Sequence, residues 1–291
     1  MNIHFILVII VRVETGIFGL DDLLGGGFHP NTVNVVLGST GTGKTIFALQ
    51  FLLKGLEKGE KGVFISFDMD ELDIIDAVSG LGWDEIKEYI NKGQLIINKF
   101  FIEDISYLND DLFNFIMSAA GDKTRVAIDS FTPLVSSITY KDRNDVNWFF
   151  SNLRKIGTSV ITLEEPPDGD QSNPSIVVPM FLASSVINLK SLGYGEAFNR
   201  TIRILKHRGS WHAEGVFPYR ILSGFGIFIE GTGSATESKK KVDMDEILKK
   251  HKISKKDIEE SILKRMQSLA ESRVGEVEEA IFEVINKIKR T

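Results

Sequence analysis

The sequence predicts an α/β fold: a mostly parallel central sheet flanked by helices, with a helical extension at the C-terminus. Three observations carry this. Gly38-Ser39-Thr40-Gly41-Thr42-Gly43-Lys44-Thr45 fits G-x-x-x-x-G-K-[ST], the spacing of a phosphate-binding loop. Its flanks supply the strand and helix that such a loop requires, with residues 32–37 (TVNVVL) as a short buried strand and residues 46–53 (IFALQFLL) as a helix. A second short buried-strand pattern, residues 125–128 (RVAI), ends in the carboxylate of Asp129, and functional side chains of open parallel sheets collect at the carboxyl ends of strands.

The bulk numbers bound the rest. A chain of 291 residues, 43% hydrophobic and 25% charged, suits one large soluble domain with an appendage. With no cysteine it has neither disulfides nor thiolate-held metal, and a reducing, cytoplasmic location is expected. A net charge of −6 argues against a chain whose main work is coating nucleic acid. Residues 3–11 form a nearly unbroken apolar run, but a spanning helix needs about 20 such residues. Arg12 and Glu14 follow without a cleavage pattern, so the run is expected to be a buried β-strand or an extended start, not a membrane or export signal. The expected division is an apolar extension (1–10), a nucleotide-binding body (11–231), a Gly/Ser/Thr-rich linker (232–242) and a helical tail (243–291).

Each part of the loop has a task. Gly38, Gly41 and Gly43 permit backbone conformations in which the amides of Ser39, Thr40, Thr42 and their neighbours turn inward around phosphate oxygens. The helix that follows presents its positive dipole end to the same point. Lys44 then reaches the outer phosphates, and the hydroxyl of Thr45 faces Mg²⁺. Upstream, residues 15–27 hold Leu20, Leu23 and Leu24 at helical spacing before three consecutive glycines, a short amphipathic helix with a glycine stop.

The order T-G-I-x-G-L-D-x-L-L-G-G-G, strand, phosphate loop and Ala48-Leu49-Gln50-Phe51-Leu52 resembles the KaiC-type branch of the RecA/RadA-like ATPases. The resemblance continues through Gly80-Leu81-Gly82-Trp83-Asp84, Asp129-Ser130 and Leu205-Lys206-His207-Arg208-Gly209-Ser210-Trp211-His212, covering about residues 11–231. It implies a RecA-like P-loop core that binds ATP with Mg²⁺, the ion held by Thr45 and Asp129. It also implies a ring-shaped homo-oligomer, a hexamer, with nucleotide between subunits. In such rings Lys206 and Arg208 reach the γ-phosphate of the neighbour, where fixed positive charge stabilises the transferring phosphoryl group. Their alternation along a strand-like segment places both on one face. The histidine matching His212 implies either a role beside them or simple packing.

One departure bears on catalysis. In similar proteins a glutamate pair after the second strand (62–67) polarises the attacking water, and alignment through Gly82-Trp83-Asp84 puts Asp68 and Met69 there. Asp68 keeps a carboxylate one methylene shorter and Met69 keeps none; misplacing a water by about 1 Å costs on the order of 100-fold in rate. Asp68 is the candidate for water activation, with Asp70 and Glu71 as substitutes, although Asp70 and Asp73 also read as a helix cap.

Further along, residues 72–93 read as helix, turn and helix with Leu72, Ile75, Ile86 and Ile90 inward, and residues 94–101 as a strand. Residues 109–120 carry Leu112, Phe113, Ile116 and Met117 on one helical face. Ser130 reads as a turn serine or a relay of phosphate state. Residues 131–144 read as a loop into a helix, 145–155 as helix and 158–163 as strand. Residues 164–174 read as an exposed acidic loop whose Glu164, Glu165, Asp168 and Asp170 would repel a phosphate backbone. Residues 186–190, 200–206 and 219–230 supply further strands. The tail carries 14 Lys or Arg against 12 Asp or Glu from residue 237 onward, with apolar stripes (Ile258, Ile262, Met266, Leu269; Val277, Ile281, Val284, Ile288) that can pack against the body, pair with another copy or dock a partner protein. Two other readings stay open: a hydrolysis-deficient, nucleotide-gated interaction module, and a DNA-binding recombination protein of RadA-paralogue type. No acceptor hydroxyl for autokinase chemistry is identifiable.

Overall fold

The structure, a computed structural model, describes residues 11–101, 110–136, 138–166, 171–193, 200–230, 248–249 and 281. In chain order the body runs α1 (Leu20–Leu23), β1 (Val33–Gly38), α2 (Lys44–Glu57), β2 (Lys61–Ser66), α3 (Glu71–Gly80), α4 (Glu85–Asn91), β3 (Leu95–Lys99), α5 (Asp110–Ala119) and β4 (Thr124–Asp129). It continues through α6 (Thr132–Val135), α7 (Arg143–Ile156), β5 (Gly157–Glu164), α8 (Pro174–Leu182), β6 (Ser185–Ser191), β7 (Arg200–His207), β8 (Phe217–Leu222) and β9 (Gly226–Ile229). These strands form one sheet in the order β3-β2-β4-β5-β1-β6-β7-β8-β9. From β3 to β6 every pairing is parallel, and β6–β7, β7–β8 and β8–β9 are antiparallel.

Parallel strands connected through helices are buried on both faces, so they read as unbroken apolar runs rather than alternating ones. β1 and β4 are buried along their whole length. On one face Val36, Phe64, Ala127, Val160 and Ile187 pack under α1 to α4; on the other Val35, Val63, Val126, Ile128 and Ile161 pack under α5 to α8. Period-two alternation along each strand sorts the same residues to two helical layers. The fold is therefore a three-layer α/β sandwich, and the carboxyl ends of β1, β4 and β5 lie side by side.

Two buried polar side chains tie the layers together. Gln50, in the middle of α2, donates to the carbonyls of Gly16 (2.9 Å) and Phe225 (2.9 Å), and its Oε1 accepts the N–H of Ile227 at 2.8 Å. One amide thus clamps the segment before α1 and the β8–β9 hairpin onto the phosphate-loop helix. Arg125, 1% exposed, pairs with Glu60 at 2.6 Å, donates to the carbonyls of Glu14 and Phe51, and stacks over the Phe51 ring. The α3 cap is present as expected, with Asp70 accepting the N–H of Asp73 and Asp73 accepting that of Asp70, each at 2.9 Å.

Three local expectations need correction. Leu72 is 71% exposed, because α3 lies over the edge strand β3, where only the narrow Ile74–Val78 stripe is covered. Met117 is 50% exposed, and Ala119 completes the buried stripe of α5 with Leu112 and Ile116. In residues 131–144, Pro133 opens the short helix α6 instead of interrupting order, since a proline in a first turn forfeits no helical hydrogen bond. The apolar extension 1–10 and the linker 232–242 lie outside the described residues. So does the tail, apart from Leu248, Lys249 and Ile281, which are helical, Leu248 and Ile281 being buried. Among the described residues no helix is long and apolar enough to cross a membrane.

Two stability measurements follow. Gln50→Leu leaves three backbone groups without their partner and should lower the unfolding free energy by about 2–4 kcal/mol in a denaturant titration. Asp21 accepts the N–H of Thr15 at 2.9 Å, and burial pushes its carboxyl up to about 6. The folded state then holds a proton that the unfolded state releases from about pH 4, so stability falls as pH rises from about 4 to 6. Asp21→Asn should match wild type at pH 4 and exceed it by about 2 kcal/mol at pH 8.

Candidate functional site

The loop between β1 and α2 is an open anion cradle. Gly41 and Gly43 adopt φ 79° and 93°, the left-handed region that favours glycine, and Gly43 is the residue from which α2 starts. Gly38 is needed for another reason, since a Cβ there would lie 2.5 Å from the Leu189 carbonyl oxygen. The loop braces itself through Thr42 Oγ1, which donates to the Ser39 carbonyl at 2.7 Å, and the Tyr219 hydroxyl of β8 donates to the Thr42 carbonyl. Thr40 at the tip is exposed.

Three functional side chains meet at this cradle. Lys44 is 6% exposed, with Nζ 3.0 Å from the Ser39 carbonyl and 2.7 Å from Glu164 Oε1. Thr45 Oγ1 donates to Asp129 Oδ2 at 2.7 Å, and Thr162 Oγ1 donates to the other carboxylate oxygen. Burial pushes the Asp129 carboxyl upward, opposed by the hydroxyls of Thr162 and Thr45 and by the Lys44 charge. A buried carboxylate beside a hydroxyl at a strand end is a hard oxygen donor pair that fits Mg²⁺. The inward-facing loop and its ammonium fit a nucleotide phosphate.

Asp68 reaches the rim of the same site. Ser66 is in register with Asp129, so Asp68 stands two residues past the strand end, exposed, and its charge raises the Asp129 pKa. The Ser66 hydroxyl accepts the N–H groups of Asp68 and Met69, at 3.2 and 2.9 Å, fixing the backbone there. Met69 turns away and packs on the α2-side core. Asp70 is committed to the α3 cap, and Glu71 is exposed in its first turn. Ser130 accepts the N–H of Thr132 at 3.1 Å, the turn geometry of the simpler reading, and His212 packs edge-on against His207.

Lys206 and Arg208 do not join this cluster. Both face the C-terminus of α8, where Lys206 Nζ donates to the Met180 and Phe181 carbonyls at 2.7 and 3.0 Å and Arg208 donates to Phe181 at 2.6 Å. The Arg208 N–H bonds the Ser184 carbonyl, and the Ser184 N–H bonds the Val33 carbonyl, which puts the pair at the start of β1. The phosphate loop leaves the other end of β1, roughly 17 Å away at about 3.3 Å per residue.

Glu164 is the main correction. Read from the sequence as part of an exposed repelling loop, it is the last residue of β5, in register with Gly38 and paired with Lys44. Glu165 is nearly buried against Lys190 at 3.6 Å, while Asp168 and Asp170 lie outside the described residues. The signal was present: residues 157–164 are an apolar strand ending in a carboxylate, as residues 124–129 are. Thr162 and Tyr219 carried no such signal, because their contacts come from strand register and from a hairpin 177 residues away.

Comparison with known proteins agrees with this geometry. The family model for the KaiC ATPase matches residues 13–234. The circadian clock oscillator protein KaiC of Prochlorococcus marinus is 31% identical over 78% of this chain and 47% of its own length. The circadian clock protein KaiC3 of a Synechocystis strain is 32% identical over 76% of this chain and 46% of its own. The chain spans about half the length of these curated relatives. Among solved structures, the KaiC-like protein PH0186 of Pyrococcus horikoshii superposes with a TM-score of 0.64 and 29% identity, covering 76% of this chain and all of that one.

Removing the brace beneath the loop tests the local argument. Tyr219→Phe leaves the fully buried Thr42 without its carbonyl donor and should lower the unfolding free energy by about 1–2 kcal/mol, read from denaturant titration.

Proposed function

This chain belongs to the KaiC ATPase family, and from that premise we propose that it binds Mg-ATP, hydrolyses it slowly, and acts as a nucleotide-dependent switch in a ring-shaped homo-oligomer. The observation that carries the reading is the convergence of Lys44, Thr45 and Asp129 at the carboxyl ends of β1 and β4, the two strands on either side of β5. Lys44 with the amides of residues 39–45 would bind the phosphates. Thr45 and Asp129 would hold Mg²⁺, which supplies charge neutralisation when bound. Asp68, the exposed carboxylate on the rim, would orient the water and take its proton.

The separation of Lys206 and Arg208 from the loop supports assembly. At opposite ends of β1 from the cradle, neither side chain spans the distance to its own nucleotide, so a role at a γ-phosphate requires a neighbouring subunit. Burial, with the charges of Arg208 and Arg154, pushes Lys206 down to about 8, a site that gains from an incoming anion.

Met69 facing the core favours a second reading, in which the chain binds Mg-ATP with almost no turnover and only occupancy is read out. Phosphate release distinguishes the two. Lys44→Ala should abolish nucleotide binding, and Asp68→Ala should slow phosphate release at least tenfold from a slow wild type. Unchanged release in the aspartate variant removes Asp68 from the mechanism, and near-zero release by wild type alongside tight binding selects the second reading. Sedimentation with and without Mg-ATP should show a nucleotide-stabilised oligomer; a monomer under both conditions removes the roles of Lys206 and Arg208 across subunits.

A further inference from the structure

Of the carboxylates around the cradle, Glu164 is the one the proposed reaction does not use, yet it sits closest to the ammonium that the nucleotide needs. Its Oε1 is 2.7 Å from Lys44 Nζ, and its second oxygen has only a weak hold, 3.4 Å from Thr40 Oγ1. Its backbone is pinned: the Glu164 N–H donates to Thr132 Oγ1 at 2.8 Å, the Glu165 N–H donates to the Gly38 carbonyl at 3.0 Å, and Glu164 is in register with Gly38. The side chain is 40% exposed, so it has solvent to move into. Asp129 is the opposite case, 8% exposed with both oxygens held by hydroxyls.

We propose that Glu164 is a counter-charge that reads the third phosphate: it holds Lys44 while the γ-position is empty and is displaced when a triphosphate fills it. The inference rests on the nucleotide-binding reading above and adds a specificity-determining residue to it. The reasoning is a charge count around one ammonium. With a diphosphate bound, Lys44 sits between the β-phosphate and Glu164, and neither anion excludes the other. With a triphosphate, the γ-phosphate and the carboxylate compete for the same cation at hydrogen-bond range, and repulsion at that range is strong in a partly desolvated cleft. The fixed backbone confines the response to the side chain, which leaves Lys44 and Thr40 for solvent. The chain therefore favours diphosphate over triphosphate by the work of that displacement, and each exchange of product for substrate moves a carboxylate at the cradle's rim.

Glu164 is itself 40% exposed and Lys44 keeps the Ser39 carbonyl at 3.0 Å, so each variant is compared with wild type after a denaturant titration has shown it folded. Calorimetric titration with Mg-ADP and with a non-hydrolysable Mg-β,γ-imido ATP analogue gives a ratio of affinities for wild type and for Glu164→Gln. The variant should shift that ratio toward the triphosphate by about tenfold, equivalent to about 1.4 kcal/mol. Glu164→Ser removes the same charge and carries the same expectation, whereas Glu164→Asp, which keeps it, should stay within about threefold of wild type. Equal changes for both nucleotides, or no change, overturn the proposal while leaving nucleotide binding standing. Wild type that binds neither nucleotide overturns both.

Discussion

A lysine ammonium that is 6% exposed has to be matched by negative charge, and that requirement organises the whole cradle. Glu164 and the Ser39 carbonyl meet it here; a bound nucleotide would meet it with phosphate. The neighbouring residues set the shape of the loop around that point. Gly41 and Gly43 take left-handed backbone angles, the Gly38 position has no room for a Cβ, and the Tyr219 hydroxyl holds the loop from below.

The sheet explains why the anion site lies where it does. Six parallel strands point their carboxyl ends to one edge, and β1 runs between β5 and β6 with β4 one place further. Lys44, Asp129, Thr162, Glu164 and Asp68 therefore arrive from four strands without any long excursion of a loop. Gln50 and Arg125 then fix α2 against the sheet through hydrogen bonds that no apolar side chain would make. The precision of the cradle comes from this backing and not from the loop alone.

Much of this was legible in the residues. The phosphate loop, its flanking strand and helix, the carboxylate at Asp129 and the Asp70–Asp73 cap are local patterns, and local patterns survive folding. Glu164 was misread because a strand end and an acidic loop look alike until register shows which neighbour the carboxylate faces. Thr162 and Tyr219 were invisible for the same reason, their value arising from contacts that sequence spacing does not encode. Leu72 and Met117 mark the converse error: helical spacing shows which residues share a face, but the width of the strand beneath decides how much of that face is buried.

The far end of β1 poses a problem that the isolated chain only half solves. Lys206, Arg208 and Arg154 all donate to the last carbonyls of α8, and a helix C-terminus does favour cations. Carbonyl dipoles are a partial answer to three positive groups in one place, and burial, with the charges of Arg208 and Arg154, holds the Lys206 pKa down. Among the described residues no carboxylate stands within ion-pair distance of any of the three. An anion brought from outside would relieve the repulsion, and the exposed Phe181 ring, over which Arg143 stacks at 4.4 Å, leaves that approach open. One edge of the sheet thus holds a cradle completed by anions, and the other an excess of cations completed by the same chemistry. In the assembly proposed above, a nucleotide held by one copy would bring that anion to Lys206 and Arg208 of the next, and repetition of that head-to-tail contact would close a ring.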